Sequence, residues 1–259
     1  TDTQVLYSKA FDLVESLTSD TRQSVLNIKQ QSSMQFNKVI NINGRNIGDY
    51  SFPYVIAEAG MNHNGDLNIG KKLIDAAITT GCDAIKFQTF LPDSRVSSKV
   101  KSVDFVEMAD GIEETMYEMF SRLSMPFSEQ KKLFDYAKDR GIEVFSTPFD
   151  FESVDFLESL GVNLYKIASM DLVNLPLIDY VAKTQKPIIL STGMSNLGLI
   201  EDSLNVIAKS GNSNVALLHC NSTYPAAAED MNIEAINTLK KCFNLPVGLS
   251  DHTFGLLVS

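Results

Sequence analysis

Residues 83–90 are DAIKFQTF, and this stretch shows most directly what kind of fold the chain adopts. Its apolar, β-branched and aromatic residues are typical of a buried strand. Side chains alternate between the two faces of a strand, so Ile85 and Phe87 share one face while Lys86 and Gln88 share the other. If the apolar pair packs beneath helices, the polar pair points into the lumen of a barrel.

Six segments of the same kind lie before and after this one, separated by stretches with helical periodicity. Strands that alternate with helices are typical of repeated βαβ units, which form a parallel sheet. The sequence therefore predicts an α/β fold, a (β/α)8 TIM-type barrel that is truncated after its seventh strand. The six segments are YVIAEAG (54–60), EVFSTPF (143–149), NLYKIASM (163–170), PIILSTG (187–193), VALLHC (215–220) and VGLSDHT (247–253).

The predicted barrel domain covers residues 36–259 and begins with a small hairpin, because a short apolar run is followed by the turn pair Asn43-Gly44. Residues 1–35 are expected to form a helical extension or linker. Between the barrel strands, the helix in 128–141 has Ser128 as its expected N-cap and Gly141 as its stop. The long crossover around 97–127 is expected to add a loop and a helix above the barrel.

Composition narrows the class of function. The net charge of −10 argues against a nucleic-acid surface, because phosphate backbones are bound by clustered Lys and Arg. The three cysteines are far apart and odd in number, which indicates a reducing compartment, so we expect a cytoplasmic protein. No apolar run approaches the roughly 20 residues of a membrane helix, so no membrane partner is expected.

Polar residues collect at the C-terminal ends of the predicted strands, where barrel enzymes carry their sites. Lys86 and Lys166 would both point into the barrel mouth, and buried ammonium groups need an anion. That anion is either a bound phosphate or carboxylate, held also by hydroxyls, or an internal carboxylate such as Glu58. Facing alone leaves both alternatives open. The hydroxyls expected around a bound anion are Thr147, Ser169, Ser191 and Ser250.

The histidine of GLSDHT, His252, lies at the same predicted rim. A neutral imidazole there would bind a divalent metal, act as an acid or base, or serve packing only. His219 and Cys220, at the end of the sixth barrel strand, are interpreted mainly as packing and hydrogen-bonding residues.

Seven motifs occur in order at barrel-like intervals: IAEAGMNHNGDL, AIKFQTF, FSTPFD, YKIAS, PIILSTGM, LLHCNSTYP and GLSDHT. Together, over roughly residues 50–259, they resemble the N-acetylneuraminate (sialic acid) synthase family, which includes legionaminic and pseudaminic acid synthases. The resemblance implies condensation of phosphoenolpyruvate with N-acetylmannosamine or a related N-acyl amino sugar, giving a nonulosonate and phosphate. It also implies Mn²⁺ or Mg²⁺ as cofactor and a homodimer at full length.

The resemblance also assigns roles to individual positions. Lys86 and Ser191 would hold the carboxylate of phosphoenolpyruvate, and Glu58 and Asp171 would act with Lys86 in catalysis. The phosphate of phosphoenolpyruvate would contact Thr147, Lys166, Ser169 and Ser250. The sugar would contact Gln88 and Tyr224, and the metal would contact His252.

Three departures from the family pattern stand out. Asp171 stands where the family often has a glutamate, and Ser222, beside Asn221, replaces an asparagine that helps bind phosphate in some members. The family's second metal histidine and its C-terminal antifreeze-like domain are not found in these residues, so we expect the chain alone to be inactive.

Two other functions fit the same rim. A phosphoenolpyruvate-dependent 3-deoxy-ulosonate phosphate synthase would need a second phosphate site, for which Arg95 and Arg122 are the nearest candidates. A degenerate, non-catalytic barrel would retain the two lysines for binding an anion but would catalyse no reaction.

Overall fold

The computed structural model describes residues 36–97 and 115–258. The extension predicted for residues 1–35, and residues 98–114 of the long crossover, lie outside the described residues. No helix in the described ranges is both long and apolar enough to cross a lipid bilayer.

The described residues form a two-stranded antiparallel hairpin and a seven-stranded parallel sheet. The hairpin consists of β1 (Val39–Ile42) and β2 (Arg45–Gly48). The strands of the large sheet are β3 (Ile56–Gly60), β4 (Ala84–Thr89), β5 (Glu143–Pro148), β6 (Tyr165–Ile167), β7 (Ile188–Ser191), β8 (Val215–Cys220) and β9 (Val247–Ser250).

Helices follow the strands in the order expected of βαβ units. They are α1 (Leu67–Thr79), α2 (Pro92–Arg95), α3 (Met116–Leu123), α4 (Phe127–Asp139), α5 (Phe151–Leu160), α6 (Leu175–Ala182), α7 (Leu197–Lys209) and α8 (Ala235–Phe243). Sequential strands are neighbours throughout the large sheet, in the order β3 to β9, and every pair is parallel. The predicted α/β architecture is confirmed, and β3 and β9 are the edge strands of the described sheet.

Each of the seven predicted segments contains a strand, although β6 is shorter than expected. Ser169, Met170 and Asp171 form a 3₁₀ turn directly after it instead of extending the strand. This turn places the Ser169 and Asp171 side chains at the rim without the strict alternation of a strand.

Two apolar clusters show which way each strand faces. The larger lies between sheet and helices and contains Ile85, Phe87, Tyr165 and Ile167. The smaller lies on the concave face of the sheet. Its members include Leu164, directly before β6, and one residue from each of four strands: Ala84, Phe145, Ile189 and Ala216. The sheet is therefore curled around a lumen, and the predicted inward facing of the lysines on β4 and β6 is confirmed.

The hairpin closes the N-terminal end of this lumen. Ile40 and Ile42 are fully buried and belong to the lumen cluster. Polar contacts fix the hairpin to distant parts of the barrel, because Asn43 donates to Glu143 at the start of β5 and Lys240 of α8 pairs with Asp49.

For the helix predicted in 128–141, the expected C-terminal end is correct and the expected N-terminal end is not. Gly141 follows α4 with φ +79°, as a helix stop requires. The prediction that Ser128 is the N-cap is wrong, because the N-cap is Pro126. The Pro126 carbonyl already accepts hydrogen bonds from the N–H groups of Glu129 and Gln130, each at 2.9 Å, so Ser128 falls inside the first turn.

Candidate functional site

The strand register brings the predicted polar residues to one level at the C-terminal rim. Glu58 on β3 lies opposite Lys86 on β4, and Gln88 lies opposite Thr147 on β5. At the far edge of the same sheet, Cys220 on β8 lies opposite Ser250 on β9. Parallel strands thus place carboxylate, ammonium, thiol and hydroxyl groups around one lumen.

The Lys86 ammonium is paired with a carboxylate of the protein itself. Its Nζ lies 2.6 Å from Glu58 Oε2 and donates to Thr147 Oγ1 at 3.2 Å. The Lys86 side chain is 9% exposed and that of Glu58 is 51% exposed, so the carboxylate reaches solvent and the ammonium does not. For Lys86, the alternative of internal ion pairing with Glu58 is confirmed.

Lys166 has no such partner. It is 7% exposed, and its Nζ makes no hydrogen bond or ion pair with any other residue in the described ranges. Burial and the neighbouring Lys86 ammonium lower the pKa of Lys166 to about 7, against the opposing effect of Glu58 and Cys220. A bound anion would restore the charged form, so this ammonium is the clearest sign of an anion site.

Several hydroxyl groups lie at the same rim of the sheet as Lys166. Ser169 Oγ lies 3.0 Å from Cys220 Sγ and accepts a hydrogen bond from the Gly193 N–H at 3.0 Å. Ser250 Oγ lies 3.3 Å from His252 Nε2. Ser191 Oγ is buried and has no hydrogen-bond partner among the described residues.

Gly193 lets these hydroxyls approach each other. A Cβ at this position would lie 2.6 Å from Ser222 Oγ and 2.9 Å from both Cys220 Sγ and Ser169 Oγ, so any larger residue would displace them. The Ser222 hydroxyl therefore lies close to those of the other site residues.

Unpartnered buried polar atoms are concentrated at this rim. Buried polar groups are normally hydrogen-bonded, and each exception calls for an explanation. Among the described side chains, the exceptions are Gln88 Oε1, Arg95 Nε and Nη1, Asp171 Oδ2, Ser191 Oγ and, in the first turn of α5, Ser153 Oγ. A polar ligand bound in the barrel mouth would provide hydrogen-bond partners for the unpartnered atoms at the rim.

The predicted sugar-side residues belong to different parts of the sheet, Gln88 on β4 and Tyr224 in the loop after β8. Tyr224 stacks on His252, with ring centroids 4.1 Å apart and an angle of 28° between the ring planes. Asp171, after β6, has a pKa raised by burial, while Asn174 and Arg95 act in the opposite direction.

His252 has the donor chemistry of one metal ligand. Its Nδ1 makes a hydrogen bond with the backbone carbonyl of Asn221, which leaves Nε2 to face the lumen near Ser250. A metal-binding histidine is usually held in this way through its second nitrogen. Within the described ranges, no group of three or more His, Cys, Asp or Glu side chains is arranged to hold a metal, so His252 alone does not complete a site. His219 bonds the Met231 carbonyl at 2.6 Å, in keeping with the hydrogen-bonding role expected of it.

Two site residues were not recognised from the sequence. Gly193 belongs to a strand-end motif whose close packing depends on Ser169 and Cys220, which are distant in the chain. Arg95 was considered only for a second phosphate, and its position over three aromatic rings gave no local signal.

The fold and this rim define the class of the protein: a parallel (β/α) barrel with polar side chains collected at the C-terminal ends of its strands. The sequence profile of the NeuB family matches residues 73–259, and the chain belongs to this family.

Relatives with known names agree with the resemblance seen in the motifs. The chain is 45% identical over 207 residues to the N,N′-diacetyllegionaminic acid synthase of Campylobacter jejuni, covering 79% of this chain and 62% of the relative. It is 36% identical over 205 residues to the pseudaminic acid synthase of Helicobacter pylori, covering 79% and 60% of the two chains. The chain spans about three fifths of the length of these curated relatives.

A solved structure has the same fold. The N-acetylneuraminic acid (sialic acid) synthetase of Leptospira borgpetersenii, crystallised with citrate, superposes with a TM-score of 0.75 at 31% identity. The match covers 87% of this chain and 74% of that one, which confirms the TIM-barrel prediction.

Proposed function

We propose that the protein condenses phosphoenolpyruvate with N-acetylmannosamine or a related N-acyl amino sugar, giving a sialic acid-type nonulosonate and inorganic phosphate. The observation that carries this proposal is the buried Lys166 ammonium, which has no partner among the described residues and lies at the same rim as several hydroxyl groups. Relatives named as legionaminic and pseudaminic acid synthases support the substrate class.

In this proposal, phosphoenolpyruvate lies across the rim between the two lysines. Lys86 and Ser191 hold its carboxylate, and Lys166 holds its phosphate. Thr147, Ser169 and Ser250 contribute neutral donors to that phosphate. Charge-assisted hydrogen bonds of this kind are roughly twice as strong as neutral ones, and they fix the direction in which the enol methylene carbon points.

The sugar enters on the solvent side, against Gln88 and Tyr224. The methylene carbon forms a bond to the aldehyde carbon, and the aldehyde oxygen takes a proton. Asp171 is suited to supply that proton, because burial raises its pKa. Water then adds to the carbon that carries the phosphate and gives one proton to Glu58. The bond between that carbon and the phosphate oxygen breaks, and the added hydroxyl becomes the ketone carbonyl as its proton passes to the departing phosphate.

We further propose Mn²⁺ or Mg²⁺ as cofactor, with His252 as one ligand and the remaining ligands outside the described residues. Such an ion would polarise the aldehyde carbonyl of the sugar.

The compartment and the assembly are also part of the proposal. The three cysteines are free, which supports a cytoplasmic enzyme. Large apolar side chains are exposed after β7 and after the edge strand β9, among them Met194, Phe254 and Leu256, which supports a homodimer of the full-length protein.

The test is phosphate release by the purified full-length protein. We expect release that requires both phosphoenolpyruvate and N-acetylmannosamine, depends on Mn²⁺, and yields a nonulosonate by mass spectrometry. Lys166→Met should abolish it, while Lys131→Met, on the outer face of α4, should not. Release only with a phosphorylated sugar would instead favour the 3-deoxy-ulosonate phosphate synthase, and binding of phosphoenolpyruvate without turnover would favour a degenerate barrel.

A further inference from the structure

Cys220 is a buried thiol to which the proposed reaction assigns no role. It is 6% exposed and ends β8, where Ala216 and Leu218 face the lumen cluster, so strand alternation places Cys220 on the same face. Burial, more than any other cause, lowers the pKa of Lys166, and Glu58 and Cys220 act in the opposite direction. The thiol therefore lies close enough to the Lys166 ammonium to act on it.

The Cys220 sulfur contacts a residue that lies two strands away. Cys220 Sγ is 3.0 Å from Ser169 Oγ, although Ser169 follows β6 and the strand β7 lies between β6 and β8. Beside this contact is Gly193, two residues after the end of β7, where a Cβ would lie 2.9 Å from both atoms. The glycine therefore leaves the space in which the thiol and the hydroxyl meet.

The hydrogen-bonding capacity of Ser169 limits what its hydroxyl can do. A serine hydroxyl has one proton to donate and two lone pairs that accept. The Gly193 N–H already donates to Ser169 Oγ, at 3.0 Å, and fills one lone pair. If the Cys220 S–H fills the second, the hydroxyl proton is left for a ligand. If Ser169 instead donates to the sulfur, its proton is used and is not available to a phosphate dianion, which only accepts.

Resting on the proposed function, we propose that Cys220 is a positioning residue for the phosphate of phosphoenolpyruvate. Its S–H donates to Ser169 Oγ, and the Gly193 N–H donates to the same oxygen, so the Ser169 O–H is directed to the phosphate. Ser169 touches the ligand in this arrangement, and Cys220 acts only through Ser169. The role requires the protonated thiol, because a thiolate has no proton to donate.

A double-mutant cycle in the full-length protein tests whether Cys220 acts through Ser169. We expect Cys220→Ala to weaken phosphoenolpyruvate binding by about fivefold, the loss typical of one neutral hydrogen bond. In the Ser169→Ala background the same substitution should have no further effect, because the hydroxyl that it directs is gone. Calorimetry of the four proteins measures both effects.

Two outcomes of the cycle would overturn the proposal. An equal loss in both backgrounds would mean that Cys220 acts independently of the Ser169 hydroxyl. Unchanged or tighter binding by Cys220→Ala would mean that Ser169 donates to the sulfur.

Cys220→Ser separates hydrogen bonding from packing. Serine keeps a donor at this position but is smaller than cysteine, so the affinity should stay within about twofold of wild type. A loss as large as that of Cys220→Ala would refute the hydrogen-bonding role. Cys82→Ala is the matched control, because it removes the same atoms from a half-buried cysteine before β4, at the opposite end of the strands, and should leave the affinity unchanged.

Two fragments of phosphoenolpyruvate distinguish this inference from the proposed function. Inorganic phosphate carries the phosphate alone and pyruvate the carboxylate alone, and the binding of either requires no turnover. Cys220→Ala should weaken the binding of inorganic phosphate and leave that of pyruvate unchanged, and an equal effect on both would defeat the inference. A wild type that binds both fragments but releases no phosphate from phosphoenolpyruvate and N-acetylmannosamine defeats only the proposed function.

Discussion

The two lumen lysines differ because of where their neighbours lie in the sheet. Lys86 is opposite Glu58 on the adjacent strand, so the ion pair follows directly from the register of β3 and β4. Lys166 lies on β6, whose neighbours β5 and β7 present the neutral hydroxyls of Thr147 and Ser191 to the lumen. One ammonium is thus neutralised by the fold, and the other is left for a ligand.

The pH dependence of ligand binding should follow Lys166. Its pKa in the ligand-free fold is about 7, against 10.5 for an ordinary lysine. A bound anion favours the protonated form, so phosphoenolpyruvate should bind with proton uptake, and its affinity should fall as pH rises above about 7. Calorimetry between pH 6.5 and 9, in buffers of different ionisation enthalpy, measures both effects.

Lys166→Arg is the control, because a guanidinium stays charged throughout this range. In this variant, proton uptake at position 166 should disappear and the affinity should depend less on pH. The same lysine has a cost for folding: its depressed pKa opposes folding fully below pH 7, and the penalty is relieved as pH rises towards 10.5. Identical pH profiles for wild type and Lys166→Arg would contradict this assignment.

Ser191 and Ser153 form a natural pair for comparison, because both have a buried hydroxyl without a hydrogen bond to any residue in 36–97 or 115–258. Replacing either with alanine removes an unsatisfied polar group, so the free energy of unfolding should stay the same or rise by up to about 1 kcal/mol. Only Ser191→Ala should weaken phosphoenolpyruvate binding, by about tenfold, because Ser153 lies on α5, in the helix layer outside the lumen. Denaturant unfolding and calorimetry of both variants decide the matter, and equal affinities would remove Ser191 from the anion site.

At the scale of elements, the N-terminal hairpin is part of the barrel core. Ile40 is fully buried in the lumen cluster, whereas its neighbour Val39 is 45% exposed. Ile40→Ala should lower the free energy of unfolding by about 2–4 kcal/mol, because it leaves a cavity at the closed end of the lumen. Val39→Ala should change it by no more than about 0.5 kcal/mol. Urea unfolding measures both, and similar small effects would mean that the hairpin is only loosely associated with the barrel.

The strands and their facing could be predicted from the sequence because both depend on local alternation. Ile85 and Phe87 pack under helices, so Lys86 had to face the lumen. The 3₁₀ turn at Ser169 was not predicted, because it depends on how the chain leaves β6 to enter α6.

Pairings between residues that are distant in the chain could be proposed but not decided. Glu58 was a possible partner for either lysine, and only the register of neighbouring strands selects Lys86. The position of Arg95 over Phe120 and Phe149 requires three separate segments to converge, which no periodicity in the sequence encodes.

At the scale of the whole molecule, the described sheet has two unpaired edges, β3 and β9. Unpaired edges favour association with other chains, and His252 finds no metal-binding cluster among the described residues. Expressed as residues 1–259 alone, the protein should therefore aggregate and release no phosphate from phosphoenolpyruvate and N-acetylmannosamine. Size-exclusion chromatography and the phosphate-release assay, run beside the full-length protein, test this expectation. Robust turnover by a monomeric 259-residue chain would contradict it.

The docking of the hairpin also constrains the order in which the chain can acquire its structure. Asn37 bonds Asn214 across 177 positions in the sequence, and Asp49 pairs with Lys240 across 191. During synthesis the hairpin emerges long before either partner exists, so these contacts form only after β8 and α8 have left the ribosome. Contacts of such high sequence separation are slow to form, which makes the earliest segment of the barrel to be translated one of the last to settle.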